Sequence, residues 1–150
     1  MNIVKHLNGL NSQPSPKKRS RFWNNPTLTT IFLSSILATY LDLFFVGKQM
    51  YHFPIRPLPE VFSINITFPL AGVPVLAFVF LQVMSRVNKW GKVGLIVFIS
   101  LLMTIFEKFS ELIGWFEHAS TWNHLYTFFG YLLFLTIIYS FYRGLEKRKG

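Results

Sequence analysis

Four long apolar runs alternate with short polar segments along this chain. The runs cover residues 27–46, 64–84, 93–113 and 124–142. About 20 apolar residues in a helix cross the roughly 30 Å hydrocarbon core of a bilayer, and the runs match that length. The pattern predicts an all-α fold: a membrane four-helix bundle running up-down-up-down, with both termini cytoplasmic. Pro26 stands where a helix start tolerates proline. The third run is free of charged residues only from Val93 to Phe106. Those residues rise about 21 Å, so the helix must continue through Glu107, Lys108 and Glu111 toward Gly114, which suits a C-cap. Pro69 and Pro74 fall in the first half of the second run. They predict a kink there, or carbonyls left free near the membrane face.

The polar segments divide the chain into a basic, mobile cytoplasmic tail (1–25), a membrane domain (26–143) and a second basic cytoplasmic tail (144–150). A cleaved signal peptide is the rival reading of the first run. Its apolar part would be shorter and followed by a small-residue cleavage site, whereas this run leads into Gly47-Lys48-Gln49. Residues 47–63 form a loop in which Pro54, Pro57 and Pro59 preclude a regular helix. Placing both ends in the cytoplasm puts twelve of the basic residues inside and leaves only Lys48, Arg56 and Lys108 outside. That asymmetry is the positive-inside pattern of a multi-pass protein of the cell membrane. Trp23, Trp90, Trp115, Trp122 and Tyr126 fall at the ends of the runs, where aromatic side chains anchor a helix at the interface.

Composition agrees with the pattern. Hydrophobic residues make up 51% of the 150 positions and charged residues only 14%, and Phe occurs 17 times. Soluble domains carry about 25% charged residues. A net charge of +9 in a soluble chain would suggest nucleic acid. Here the charge sits in clusters beside apolar runs, which fits topology signals and anionic lipid contacts, not nucleic acid. The absence of cysteine removes disulfides, thiolate metal sites and cysteine nucleophiles from consideration.

Candidate chemistry concentrates in residues 107–126, EKFSELIGWFEHASTWNHLY. With the orientation above, every acidic residue except Glu146 lies toward the outer face. Asp42 and Glu107 each follow about 21–22 Å of helix, so both sit in the outer part of the hydrocarbon. A carboxylate there costs about 2–3 kcal/mol unless it is paired, neutral or reached by water. Glu107 and Glu111 are four apart and share a helix face. Lys108 is placed to pair with Glu111 or Asp42, and His118, His124, His52 and Arg56 are further partners. The cluster Asp42, Glu107, Lys108, Glu111, His118 and His124 therefore reads first as a hydrogen-bonded joint between helices. Its rival readings are a proton or ion relay, a grip on a polar head group, and a metal-dependent site. No His-Glu-x-x-His is present, and Glu117-His118 with His124 fits no recognised ligand spacing, so no metal or cofactor is expected. No Gly-x-Ser-x-Gly and no phosphate-cradling loop occurs, so no catalytic residue is named.

The run Glu107…Glu111-Leu-Ile-Gly-Trp115…His118…Trp122-Asn-His-Leu-Tyr126 resembles small uncharacterised integral membrane proteins of spore-forming, low-GC Gram-positive bacteria. The Pro-rich segment from Tyr51 to Glu60 and the Pro-bearing second run are similar to that group as well. The resemblance covers roughly residues 30 to 143. It implies a four-helix protein of the bacterial cytoplasmic membrane and carries over no catalytic residue. The longer basic N-terminal tail departs from the group.

Together these features point to a non-enzymatic membrane protein. It would be a structural or accessory component whose outer polar pocket contacts lipid or a partner. Its partners would be membrane lipids and either a second copy or a larger membrane protein. Two alternatives belong to other classes. One is a small proton or cation transporter or channel subunit using Asp42, Glu107 and Glu111. The other is a membrane-bound enzyme acting on lipid-linked substrates.

Overall fold

The computed structural model describes residues 25–148. The expected basic N-terminal tail, with Trp23, lies outside the described residues, as do the last two positions. Among the described residues the fold is helical: α1 (Pro26–Gly47), α2 (Phe68–Met84), α3 (Lys89–Leu112) and α4 (His124–Lys147). Two short strands, β1 (Tyr51–His52) and β2 (Glu117–His118), accompany them.

Each long helix starts at an asparagine. The side chains of Asn25, Asn88 and Asn123 accept hydrogen bonds from the backbone N–H groups of Thr27, Gly91 and Leu125. These bonds satisfy donors that the first turn of a helix leaves open. At the far end of α3, Gly114 adopts φ +75°. Its N–H bonds to the Glu111 carbonyl, and the Trp115 N–H bonds to the Ser110 carbonyl. This is a Schellman closure, which needs a left-handed residue and therefore favours glycine. It ends α3 two residues before the expected cap glycine and turns the chain back across the helix ends.

α1, α3 and α4 are long and apolar enough to cross a membrane, and the chain is a membrane protein. α2 is shorter than the predicted 64–84. Its 17 residues rise about 25 Å. Ile64 is buried instead in a loop cluster with Tyr51, Phe53 and Phe116. The first turn of α2, Phe68–Gly72, is widened to π spacing, and the Val73 N–H reaches the Phe68 carbonyl. Pro74 has no N–H for the Leu70 carbonyl and its ring crowds that group, so a wider turn replaces the regular one. α4 runs five residues past the predicted end. The Tyr142 hydroxyl donates to Glu146 at 2.8 Å across one turn, and Lys147 lies in the last turn, where a cation is favoured.

The surface is the apolar part of this molecule. Phe32, Ile36, Phe78, Phe98, Ile105, Leu133 and many similar side chains are exposed on the helices. The buried set includes Thr30, Ser34 and Ser100. Each of these hydroxyls donates to the carbonyl four residues earlier, at 2.7–2.8 Å. Small side chains with internally satisfied hydroxyls let membrane helices approach closely. Phe80, Met84, Leu135 and Ile138 form the fully buried core at the end of the bundle where α2 finishes. α1 packs along α2 and α4, α3 packs on α4, and α2 and α3 barely meet.

The two strands pair antiparallel, with Tyr51 opposite His118 and His52 opposite Glu117. This ladder falls in segments expected to be plain loops. It ties the segment after α1 to the segment after α3. The loop between β1 and α2 is held by Arg56, whose guanidinium donates to the carbonyls of Phe53 and Phe62 at 2.7 Å each.

Candidate functional site

The ladder and the Schellman turn together bring His118 over the ends of α3 and α4. His118 is deeply buried, its side chain only 4% exposed. Its ring stacks on Trp122, with centroids 5.0 Å apart and planes 14° from parallel, and Phe116 meets it edge-on at 4.5 Å. Apolar walls therefore fix the imidazole plane and leave its two nitrogens to meet carboxylates.

Nδ1 of His118 lies 3.2 Å from Oε1 of Glu111 in hydrogen-bond geometry. Nε2 lies 3.0 Å from Oε1 of Glu107, but not in line for a hydrogen bond. His124, at the first position of α4, brings Nδ1 to 3.6 Å from Glu107 and Nε2 to 3.8 Å from Glu111. Nδ1 of His124 is buried without a hydrogen-bond partner. Glu107 has one firm hydrogen bond: the Thr127 hydroxyl donates to Oε1 at 2.6 Å. The Trp122 indole N–H donates in turn to that hydroxyl at 3.2 Å. Burial pulls the His118 pKa down, but Glu107 and Glu111 outweigh it and hold the pKa above the usual imidazole value.

Asp42 occupies a neighbouring position on α1. Its Oδ1 accepts from the Tyr51 hydroxyl at 2.7 Å, and its Oδ2 is buried without a partner among the described residues. Tyr51 is itself held above the usual phenol pKa, by burial first and then by Asp42 beside it. Asp42 and Glu107 both line a cavity of about 450 Å³ that separates α2 from α3. Its walls are largely apolar, with Ala38, Leu41, Val73, Leu76, Met103 and Phe134 among them. Tyr51, Thr127 and Tyr131 add hydroxyl groups to the wall.

Comparison of the chain with protein families, with curated proteins and with solved structures finds no match. The functional reading therefore rests on the residues themselves.

Of the six residues singled out in sequence, the structure gathers Glu107, Glu111, His118 and His124, and sets Asp42 on the wall of the adjoining cavity. Lys108 is the exception. It is exposed, and among the described residues no carboxylate lies within ion-pair distance of it. Glu107 and Glu111 turn toward α4, and a residue one step along the helix points about 100° away. Two other proposed partners are engaged elsewhere: His52 lies 3.1 Å from Glu117, and Arg56 binds loop carbonyls. Trp122 is half-buried against His118 and Tyr51. Trp90, Trp115 and Tyr126 are exposed. Tyr51, Phe116 and Thr127 belong to the site and were not singled out. The signal for Thr127 is its position three residues after His124, on one face of α4.

Proposed function

We propose that this protein is a non-enzymatic component of the bacterial cytoplasmic membrane that holds an amphipathic lipid. The polar group of the lipid lies at Asp42 and Glu107, and its chain lies against the apolar wall between α2 and α3. In this reading the helices run up-down-up-down with both termini cytoplasmic, as the basic clusters require, and the carboxylates face the outer side. The resemblance to small membrane proteins of spore-forming bacteria fits the same placement.

One observation carries the reading: a largely apolar cavity of about 450 Å³ with two acidic residues, Asp42 and Glu107, on its wall. Ligand pockets combine apolar walls with a few placed polar groups in volumes of about 300–1,000 Å³. Carboxylates in such a place favour a ligand carrying a hydroxyl or an ammonium group, which can donate to them. The buried layer of Phe80, Met84, Leu135 and Ile138 favours a closed pocket over a transmembrane ion path.

The test is native mass spectrometry of protein extracted in nanodiscs, comparing the unaltered chain with Gly130→Leu. Gly130 lines the cavity, and a side chain begun there meets nothing within 4 Å. Leucine should narrow the cavity and lower lipid retention while the chain stays folded. Equal lipid retention by both proteins would refute the proposal, as would an unaltered chain that carries no lipid.

A further inference from the structure

We infer that Glu107, His118 and His124 form a binding site for one Zn²⁺ ion, with Glu111 as the group that orients both histidines. The inference is independent of lipid binding in the adjoining cavity.

Distances carry it first. One ligand atom from each of the three residues lies within 4.8 Å of the other two. A tetrahedral zinc ion with bonds of about 2.0–2.1 Å spaces its ligand atoms about 3.3–3.4 Å apart. The contacts from Glu107 Oε1, 3.0 Å to His118 Nε2 and 3.6 Å to His124 Nδ1, bracket that spacing.

Unmet valence carries it second. Nδ1 of His124 is buried and has no hydrogen-bond partner among the described residues, and Nε2 of His118 faces Glu107 Oε1 at 3.0 Å out of line for a hydrogen bond. His118 is more than nine-tenths buried, so water does not relieve it. Two imidazole nitrogens converging on one carboxylate oxygen, neither in line for a hydrogen bond to it, are what a metal site presents before the metal enters.

The outer partners are also in place. Metal-binding histidines commonly donate their second N–H to a carboxylate, which sets the tautomer and the ring orientation. Glu111 lies 3.2 Å from His118 Nδ1 and 3.8 Å from His124 Nε2. It thus hydrogen-bonds the non-ligating nitrogen of His118 and lies within ion-pair distance of that of His124. Thr127 steadies Glu107 by its 2.6 Å hydrogen bond. Two carboxylates and a dication are neutral together, which suits a site at the edge of hydrocarbon. Two imidazoles with one carboxylate suit zinc better than calcium or magnesium, which favour all-oxygen sets.

The test uses the full chain without an affinity tag, in nanodiscs, stripped with a chelator and then titrated with Zn²⁺ alone. Elemental mass spectrometry after desalting reads stoichiometry, and Co²⁺ in place of zinc reads geometry by its visible absorption. The expected result is one ion per chain and a tetrahedral Co²⁺ spectrum. His124→Ala should abolish stoichiometric uptake. Glu111→Gln should weaken affinity about 10–100-fold. Both residues are partly exposed, so these variants fold even where His118→Ala does not. His52→Ala, outside the set, should bind as the unaltered chain does. Absence of uptake by the unaltered chain overturns the inference. So does uptake that survives His124→Ala, or that falls equally with His52→Ala.

Discussion

Thr127→Val isolates the joint between α3 and α4. Valine has nearly the same shape as threonine, so a side chain only 6% exposed is replaced without a cavity. What disappears is one hydroxyl that donates to Glu107 at 2.6 Å and accepts from Trp122 at 3.2 Å. Hydrogen bonds between membrane helices average about 0.6 kcal/mol and reach about 1.7, because the separated helices also find partners. The bond to Trp122 is ordinary, and the bond to the carboxylate is charge-assisted and about twice as strong. The loss is therefore about 2 kcal/mol, or roughly 6 °C in melting temperature for a chain of this size. Thr136→Val on the same helix is the control. Its hydroxyl is exposed and donates only to the Leu132 carbonyl of its own helix. Thermal unfolding in mild detergent, followed by tryptophan fluorescence or circular dichroism, measures both variants. If Thr127→Val melts with the unaltered protein or with Thr136→Val, the hydroxyl does not bridge the two helices, and the geometry assigned to Glu107 is wrong.

The other predictions concern the supports of the site. Gly114→Ala should cost about 1–2 kcal/mol, since alanine resists the φ of +75°, whereas Gly130→Ala should add up to about 1 kcal/mol, because open space surrounds a mid-helix glycine; chemical denaturation of the two variants checks the opposite signs. Arg56→Lys replaces a planar fork by a single ammonium, so the loop from Phe53 to Phe62 should become sensitive to limited proteolysis while helix content is unchanged. Tyr51 should stay protonated beyond the usual phenol value of about 10, because burial and the facing Asp42, Glu107 and Tyr131 all oppose its ionisation. A raised folded-state value means that its contribution to stability is complete below about pH 10 and is lost as pH rises further. Difference absorbance of Tyr51→Phe against the unaltered chain, titrated from pH 8 to alkaline, should show no phenolate from Tyr51 near pH 10; a normal titration there would refute the burial.

The helices are legible in the sequence because the bilayer imposes one length and one polarity on any span. That constraint alone carries α3 past Phe106 to Leu112, through charged residues that composition would have excluded. The same constraint misjudges α2. It treats Ile64 as the start of a span, whereas Ile64 finds its apolar surroundings among Tyr51, Phe53 and Phe116. The site was half legible. The four-residue spacing of Glu107 and Glu111 fixes a shared face, and the same helical rule excludes Lys108 from it. The convergence of His118 and His124 on that face depends on a glycine turn and on a ladder of two residues per strand. Such a ladder is too short to leave a periodic pattern. The Glu107, His118 and His124 set comes from a helix, a strand and a helix start, so no ligand spacing within one element marks it.

The gap between α2 and α3 has a consequence for measurement. On the proposed reading a lipid enters there sideways, from among the bilayer lipids, and its effective concentration is its mole fraction in the membrane. Added lipid or detergent will then dilute it as surely as added water dilutes a soluble substrate. Titrations carried out at different lipid loads should disagree when plotted against molar concentration. They should coincide when plotted against ligand per lipid.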